Sequence, residues 1–282
     1  MVLELGHPQA VHFVPDGAPL EAALARTTHL GIGAHQDDLE LMASSAILEC
    51  FARADRWFSG VVVTDGGNSP RAGAYAAFDA AAMREVRRRE QDKAAHIGEY
   101  SVQLQLGYPS AAVKGNAAAV VDDLERVLLA TRPEQVFTHS LSDRHDTHVA
   151  VVLRVLAACR RLPSDALPQR LVGCEVWGDL DWLPAAERVA LPLGSREHLQ
   201  SALLGVFDSQ LEGGKRYDLA AIGRRRAHAT FSESHDVDRL PGLVWAMDLT
   251  RLLREGDPAE HVDALVASFR AEVMARLARV GG

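Results

Sequence analysis

Along this chain short apolar runs alternate with stretches whose apolar residues recur every three or four positions, and that order predicts strands alternating with helices. Leu30 to Ala34 reads as a short buried strand, and Leu39, Met42, Ala43, Ala46 and Ile47 as the apolar face of a helix running to about Ala54. Trp57 to Thr64, rich in consecutive valines, reads as a buried parallel strand. The turn formers from Asp65 to Pro70 then predict a loop, which continues through Arg71 to Tyr75 and is placed to fold over the same sheet edge. Ala80 to Ile97 is a helix stopped by Gly98, with Met83, Val86, Glu90, Ala94 and Ile97 on one side. Ser101 to Leu106 is a strand, Asn116 opens a helix through Leu129, and beyond Pro133 a strand follows from Gln135 to Thr138. Asp146 and Thr147 cap a helix whose apolar face is Val149, Val152, Leu153 and Leu156. Arg170 to Trp177 and Glu187 to Leu193 are further strands, the latter near a sheet edge because it holds Pro192. Ser195 caps a helix through Phe207, and 215–230 and 259–279 are helical.

This alternation is that of a doubly wound α/β sheet, mostly parallel with helices on both faces. No internal repeat, low-complexity tract or long linker divides it, so a single domain spanning 1–282 is expected. Its parts are an irregular N-terminal segment at 1–27, a core from about 28 to 250, and a C-terminal helix at about 259–279.

Composition narrows the partners. At 282 residues, 48% hydrophobic and 24% charged, the chain can bury a large core. A formal charge of -8 argues against a nucleic-acid groove or an anionic membrane surface. The runs Arg87-Arg88-Arg89 and Arg224-Arg225-Arg226 read as solvated helix faces. Cys50, Cys159 and Cys174 are odd in number and widely spaced, so they read as small core residues in a reducing compartment. No cationic start with a long apolar run opens the chain, and no apolar segment is long enough to cross a bilayer, which leads to an expectation of a cytoplasmic protein.

The chemistry gathers at two turns. His35, Asp37 and Asp38 follow the first buried strand and open a helix, which places them at the carboxyl edge of the sheet, where open α/β folds bind ligands. An imidazole and a carboxylate suit a zinc-like cation, whose catalytic sites use three protein ligands and leave one position open. A third ligand is on offer in residues 137–148, Phe-Thr-His-Ser-Leu-Ser-Asp-Arg-His-Asp-Thr-His, which again lie between a strand and a helix. Alone, a His-x-x-Asp spacing means little, because capping aspartates are common. Two such turns brought to one edge favour a metal site.

The segments Ala-His-Gln-Asp-Asp-Leu-Glu at 34–40 and Asp-Arg-His-Asp-Thr-His at 143–148 resemble the two signatures of the PIG-L/LmbE family of metal-dependent N-acetylglucosaminyl deacetylases. The resemblance covers most of 28–235 and is specific in the two turns. It implies a Rossmann-like fold, often oligomeric, with His35, Asp38 and His148 as ligands of Zn2+, Fe2+ or another divalent cation. It further implies hydrolysis of the N-acetyl group of an amino-sugar substrate. Asp37 is then the general base, with an N-cap role as the alternative, and His145 the group that supports the oxyanion or assists proton transfer. Where the family has an aspartate beside the ligand histidine this chain has Thr147, so Asp146 or Asp143 is expected to orient His148. Arg87 with Glu90 matches a family Arg-x-x-Glu whose arginine reaches sugar hydroxyls; a simple i, i+3 ion pair is the equal alternative. Ser209-Gln210 resembles a family Ser-Gln, while His235 reads as an exposed loop residue rather than a cleft residue.

Three other readings stay open: a metal-dependent hydrolase of another amide or an ester, such as a thiol-conjugate amide; a catalytically silent sugar- or metal-binding protein; and, least favoured, a dinucleotide site at Gly31-Ile-Gly33, which lacks the third glycine.

Overall fold

A computed structural model describes residues 3–115, 118–194 and 196–281. Eight strands form one mixed sheet: β1 (Val11–Phe13), β2 (His29–Gly33), β3 (Phe58–Thr64), β4 (Gln103–Tyr108), β5 (Gln135–His139), β6 (Arg170–Cys174), β7 (Arg188–Leu193) and β8 (Gly242–Asp248). Their order across the sheet is β1-β4-β3-β2-β5-β6-β8-β7. From β4 to β6 neighbours pair in parallel, while β1 lies antiparallel to β4, and β8 antiparallel to both β6 and β7. The expected doubly wound α/β fold is therefore present, with antiparallel additions at each side.

Alternate residues of the central strands feed two separate cores. Val61 and Val63 join Leu30, Ile32 and Val136 on one face, against α6 (Ala118–Thr131) and α7 (Asp146–Cys159); α1 (Leu20–Ala25) and the short α5 (Ser110–Lys114) pack on the same side. Val62, Phe137 and Val172 lie on the other face, against α2 (Asp38–Met42), α3 (Ser44–Cys50) and α8 (Glu197–Gly205). Burial on both faces is what consecutive valines in a parallel strand demand. The long helix α4 (Ala80–Ile97) begins with Asp79 accepting from the Ala82 amide at 2.7 Å and ends at Gly98, as its periodicity predicts. The short α9 (Asp208–Leu211), α10 (Tyr217–Phe231) and α11 (Pro258–Gly281) complete the chain.

The chain runs outward from β2 to β3 and β4, then returns through α6 to β5 on the opposite side of β2. The loops after β2 and β5 therefore diverge and leave a crevice at their carboxyl ends. The same crossing brings the two signature turns together.

Several details depart from the sequence reading. The 1–27 segment holds β1 and α1; β1 is only three residues long and owes its existence to pairing with β4, which no internal periodicity announces. The strand Gly242–Asp248 was not expected, yet it inserts between β6 and β7 and leaves Pro192 on the true edge strand. The helix expected through Ala54 is broken at Ala43 into α2 and α3. Asn116 and Ser195, proposed helix starts, lie outside the described residues. All three cysteines are buried and free, as expected.

Gly31 and Gly33 have a packing role. A Cβ on Gly31 would lie 2.6 Å from the Phe58 ring and 3.0 Å from a Leu39 methyl, and one on Gly33 would lie 3.0 Å from Asp38 Cβ. The two glycines let α2 rest directly on β2, which lowers Asp38 into the crevice.

Candidate metal centre

Backbone geometry aims the first turn. Asp37 is in the left-handed region at φ 86°, uncommon for a residue with a side chain. Its surroundings hold it there: its amide donates to Gln91 Oε1 at 3.2 Å, and its Oδ2 accepts from Arg87 Nη2 at 2.8 Å. The reversal turns Asp38 the opposite way, where its Oδ2 accepts from the His35 amide at 2.7 Å.

Asp38 Oδ2 lies 3.4 Å from His35 Nδ1 and 3.4 Å from His148 Nε2, and these two nitrogens are 3.2 Å apart. Zinc bonds of about 2.0–2.1 Å place the corners of a tetrahedron about 3.3–3.4 Å apart, so the triangle is the right size for such a cation. The donor set is also right in kind, two imidazoles and a carboxylate. Burial pushes the His148 imidazole down to about 4, so its nitrogen is neutral and free to coordinate, and the histidines around Asp38 hold its carboxyl well below the usual range despite burial. The expected triad His35, Asp38 and His148 is thus brought together.

The second histidine of this triad is oriented from behind. His148 Nδ1 lies 3.2 Å from Asp143 Oδ1, within hydrogen-bond reach though off the ideal angle. Asp143 is itself fixed by the amides of His145 at 2.8 Å and Trp177 at 3.1 Å. A carboxylate behind a ligating imidazole is the usual means of fixing ring and tautomer. Of the two residues considered for the orienting role, Asp143 lies beside the ring, while Asp146 is exposed in the first turn of α7. His139, Asp143 and His148 form a second close group, but His139 Nε2 is already taken by the Ala34 amide at 2.8 Å, and the group is buried.

His139 is the residue beside the candidate site that the sequence reading passed over. It stacks on His148 with ring centroids 3.9 Å apart, and its Nε2 is 3.3 Å from Asp38 Oδ2. Its place as the last residue of β5 was the available signal.

His145, not the Asp146-Thr147 pair, caps α7: its Nδ1 accepts from the Thr147 amide at 3.2 Å. In the neutral ring the proton is therefore on Nε2, the form that can donate. Burial and the neighbouring His35 lower its pKa, which favours that neutral form. Its ring meets His35 edge-on at 5.0 Å.

A cavity of about 480 Å3 opens over the triad, lined by His35, Asp37, Asp38, Arg87 and His145, and walled by the 66–70 loop and by Trp177, Lys215, Tyr217 and Arg224. The loop after β3 does fold over the site. Burial raises the Asp37 carboxyl to about 6, against the pull of Arg87 and with the push of Asp38. Arg87 is itself buried; beyond Asp37 it donates to Glu90 at 3.1 Å and to the Gln36 carbonyl. The i, i+3 pair exists, but as part of a buried network rather than a surface pair. Glu90 continues that network by accepting from the amide and hydroxyl of Ser209, and Gln210 lines the cavity. His235 is exposed, as expected.

Two arginine runs need correction as solvated faces, since Arg87 and Arg225 are buried. Arg225 donates to the Glu40 carbonyl at 2.7 Å, the Leu41 carbonyl at 3.2 Å, Ser44 Oγ and Gln200 Oε1. A cation on the last carbonyls of α2 satisfies groups the helix cannot, and it coincides with the break at Ala43.

Known proteins share the fold and, over part of the chain, the sequence pattern. Residues 30–159, which include both turns, match the PIG-L family, described as GlcNAc-PI de-N-acetylase. Among solved structures the fold is similar to N,N'-diacetylchitobiose deacetylase from Pyrococcus horikoshii: 16% identity, 78% of this chain and 83% of that one, TM-score 0.59. It is equally similar to GalB, the 4-carboxy-2-hydroxymuconate hydratase from Pseudomonas putida KT2440: 16% identity, 79% and 96% of the two chains, TM-score 0.59. The zinc-inhibited form of teicoplanin deacetylase Orf2 also matches, at 16% identity over 78% and 97% of the chains with a TM-score of 0.54. No curated protein sequence matches. No described helix is long and apolar enough to cross a membrane. The segment 30–159, which carries His35, Asp38, Asp143, His145 and His148, is the part of the chain that matches the PIG-L family model.

Proposed function

We propose that this protein is a zinc-dependent hydrolase that removes the N-acetyl group from an N-acetylglucosamine-type sugar or glycoconjugate. The observation that carries the reading is the triangle of His35, Asp38 and His148 donor atoms, 3.2–3.4 Å on a side, opening into a cavity that Asp37 and His145 also line. A divalent cation bound there would supply Lewis acidity and bring the pKa of a water toward neutrality.

The chain's own groups do the rest. Asp37 is adjacent to the triad without belonging to it, and Arg87 holds one of its oxygens, so its carboxylate is fixed where it can take a proton from water and return it to the departing amine. His145, with its proton on Nε2, donates to the oxygen that gains charge as the acetamide carbon becomes tetrahedral. Asp143 keeps His148 turned toward His35 and Asp38. Arg87 closes the back of the cavity, and its contact with sugar hydroxyls is the finer part of the reading.

The test is acetate release from a panel of N-acetylated amino sugars, run beside amides and esters lacking the sugar, with zinc, iron(II) and other divalent cations supplied in turn. Turnover confined to the N-acetyl sugars is the expected result. Because a hydratase has the same fold with an equal TM-score, the panel includes an unsaturated carboxylic acid. Turnover of that acid, or of esters alone, replaces this reading with another reaction on the same triad; zinc binding without any turnover makes the chain a binding protein.

A further inference from the structure

The cavity over the triad carries its charge in two layers. Three carboxylates line it, and all three are buried and engaged. Asp37 pairs with Arg87, Asp38 faces the surrounding histidines, and Glu175 meets His228 Nε2 at 2.7 Å and the amides of Leu180 and Trp245 at 3.0 and 3.3 Å. Of the five cations in the lining, Arg87 and Arg225 are buried and committed to the partners described above. The other three, Lys114, Lys215 and Arg224, are exposed or half-buried, and none pairs with a carboxylate among the described residues. The carboxylates next along the chain, Asp146, Asp179 and Glu212, are exposed and line no part of the cavity.

These three cations are placed without a counter-ion. Lys215 Nζ lies 5.2 Å from the centre of the Trp177 ring, which is 41% exposed and meets Tyr217 edge-on at 5.9 Å. Arg224 Nη1 donates to the Val176 carbonyl at 2.7 Å, and the rest of its guanidinium has no partner among the described residues. Lys114 ends α5, yet Arg154 already holds the carbonyls of Val113 and Gly115 there, at 3.4 and 2.8 Å. In a chain with 38 acidic and 30 basic residues, an opening with three uncompensated cations is unlike the average surface, and a cleft lined by one sign of charge draws the opposite sign into it. We propose that the substrate carries an anionic group, a carboxylate or a phosphate, on the part that projects outward from its acetamide. Lys114, Lys215 and Arg224 bind that group, and Trp177 and Tyr217 pack against the ring or chain that bears it. The placement of the acetamide rests on the hydrolase reading; the preference for charge does not.

The experiment compares matched substrates: para-carboxyphenyl against para-carbamoylphenyl N-acetylglucosaminide, and N-acetylglucosamine 1-phosphate against methyl N-acetylglucosaminide. In at least one pair the charged member should have a kcat/KM higher by about tenfold or more, through KM, the scale of one charge-assisted contact. The advantage should shrink as salt is added, and the pair with the larger ratio identifies the anion. Lys114→Gln with Lys215→Gln, both at exposed positions, should bring the ratio close to one, and Arg224→Gln should lower it separately. Equal turnover within both pairs overturns the proposal while the hydrolase reading stands, and so does a preference that none of these substitutions changes. If no N-acetyl sugar is turned over, the hydrolase reading falls and the same pairs are titrated by calorimetry into chelator-treated protein, which removes capture of the anion by a metal. Tighter binding of the charged member, lost in the double variant, upholds the anion site; equal binding or none overturns it.

Discussion

Arg87 and Asp37 form a buried ion pair, Nη2 to Oδ2 2.8 Å, at the point where the backbone turns through a left-handed residue into α2. The guanidinium serves three acceptors at once, the carboxylates of Asp37 and Glu90 and the Gln36 carbonyl. The fork reaches them from two separate nitrogens, Nη1 and Nη2, which the single nitrogen of an ammonium cannot reproduce. Arg87→Met should therefore lower stability by about 3 kcal/mol, because two buried carboxylates lose their partner. Arg87→Lys should recover only part of that loss. Urea unfolding of the three proteins checks both statements, and kcat/KM should fall at least tenfold in each variant.

Asp37 and Asp38 are neighbours with separable duties. Asp38→Asn should abolish binding of one equivalent of metal, read by elemental analysis after dialysis. The rise in unfolding temperature on adding metal should vanish with it, a rise worth about 2.7 kcal/mol at a concentration 100 times Kd. Asp37→Asn should keep the metal and that stabilisation while losing turnover. Retained activity in Asp37→Asn would remove the residue from proton transfer.

Asp143 and Asp146 were equal candidates for orienting His148, and only Asp143 lies behind the ring. Asp143→Asn should weaken metal affinity by about 10- to 100-fold, the usual effect of losing such a carboxylate, measured by competition with a chelator. Asp146→Asn should leave it unchanged.

His29 makes stability depend on pH away from the centre. Burial, with Arg56 nearby, pushes its imidazole down to about 4, against an unfolded value near 6.5. Below the unfolded value the denatured chain takes up a proton that the native protein refuses, so this contribution is complete above about pH 6.5 and is lost as pH falls toward 4. Relative to His29→Gln, the wild type should lose about 2 kcal/mol between pH 7 and pH 5 in denaturant unfolding. Parallel curves for the two proteins would refute the assignment.

What could be read in advance follows physical lines. Helix Ala80–Ile97 was legible to the residue because its period is strong and Gly98 ends it. Both signature turns were legible because each follows a run that only a buried strand explains. Ligand positions came from the resemblance, and the structure sets the three donor atoms 3.2–3.4 Å apart. The remainder depended on partners distant in sequence. Arg225 looks like a surface charge until it meets the carbonyls of α2, 184 and 185 residues away. The strand Gly242–Asp248 is an apolar run whose state is set by β6 and β7, and His139 looks like any strand-end histidine until the sheet places it under His148.

Ser209 donates through both its amide and its hydroxyl to Glu90, 119 residues earlier. One carboxylate thus rivets the later part of the chain to the segment that carries the two signature turns. A protein cut short after residue 159 would keep every proposed ligand and still lose this fastening, together with the far wall of the cavity. The family signature alone is consequently an incomplete vessel, and variation in the region around Ser209 can reshape the cavity while the triad beneath stays fixed.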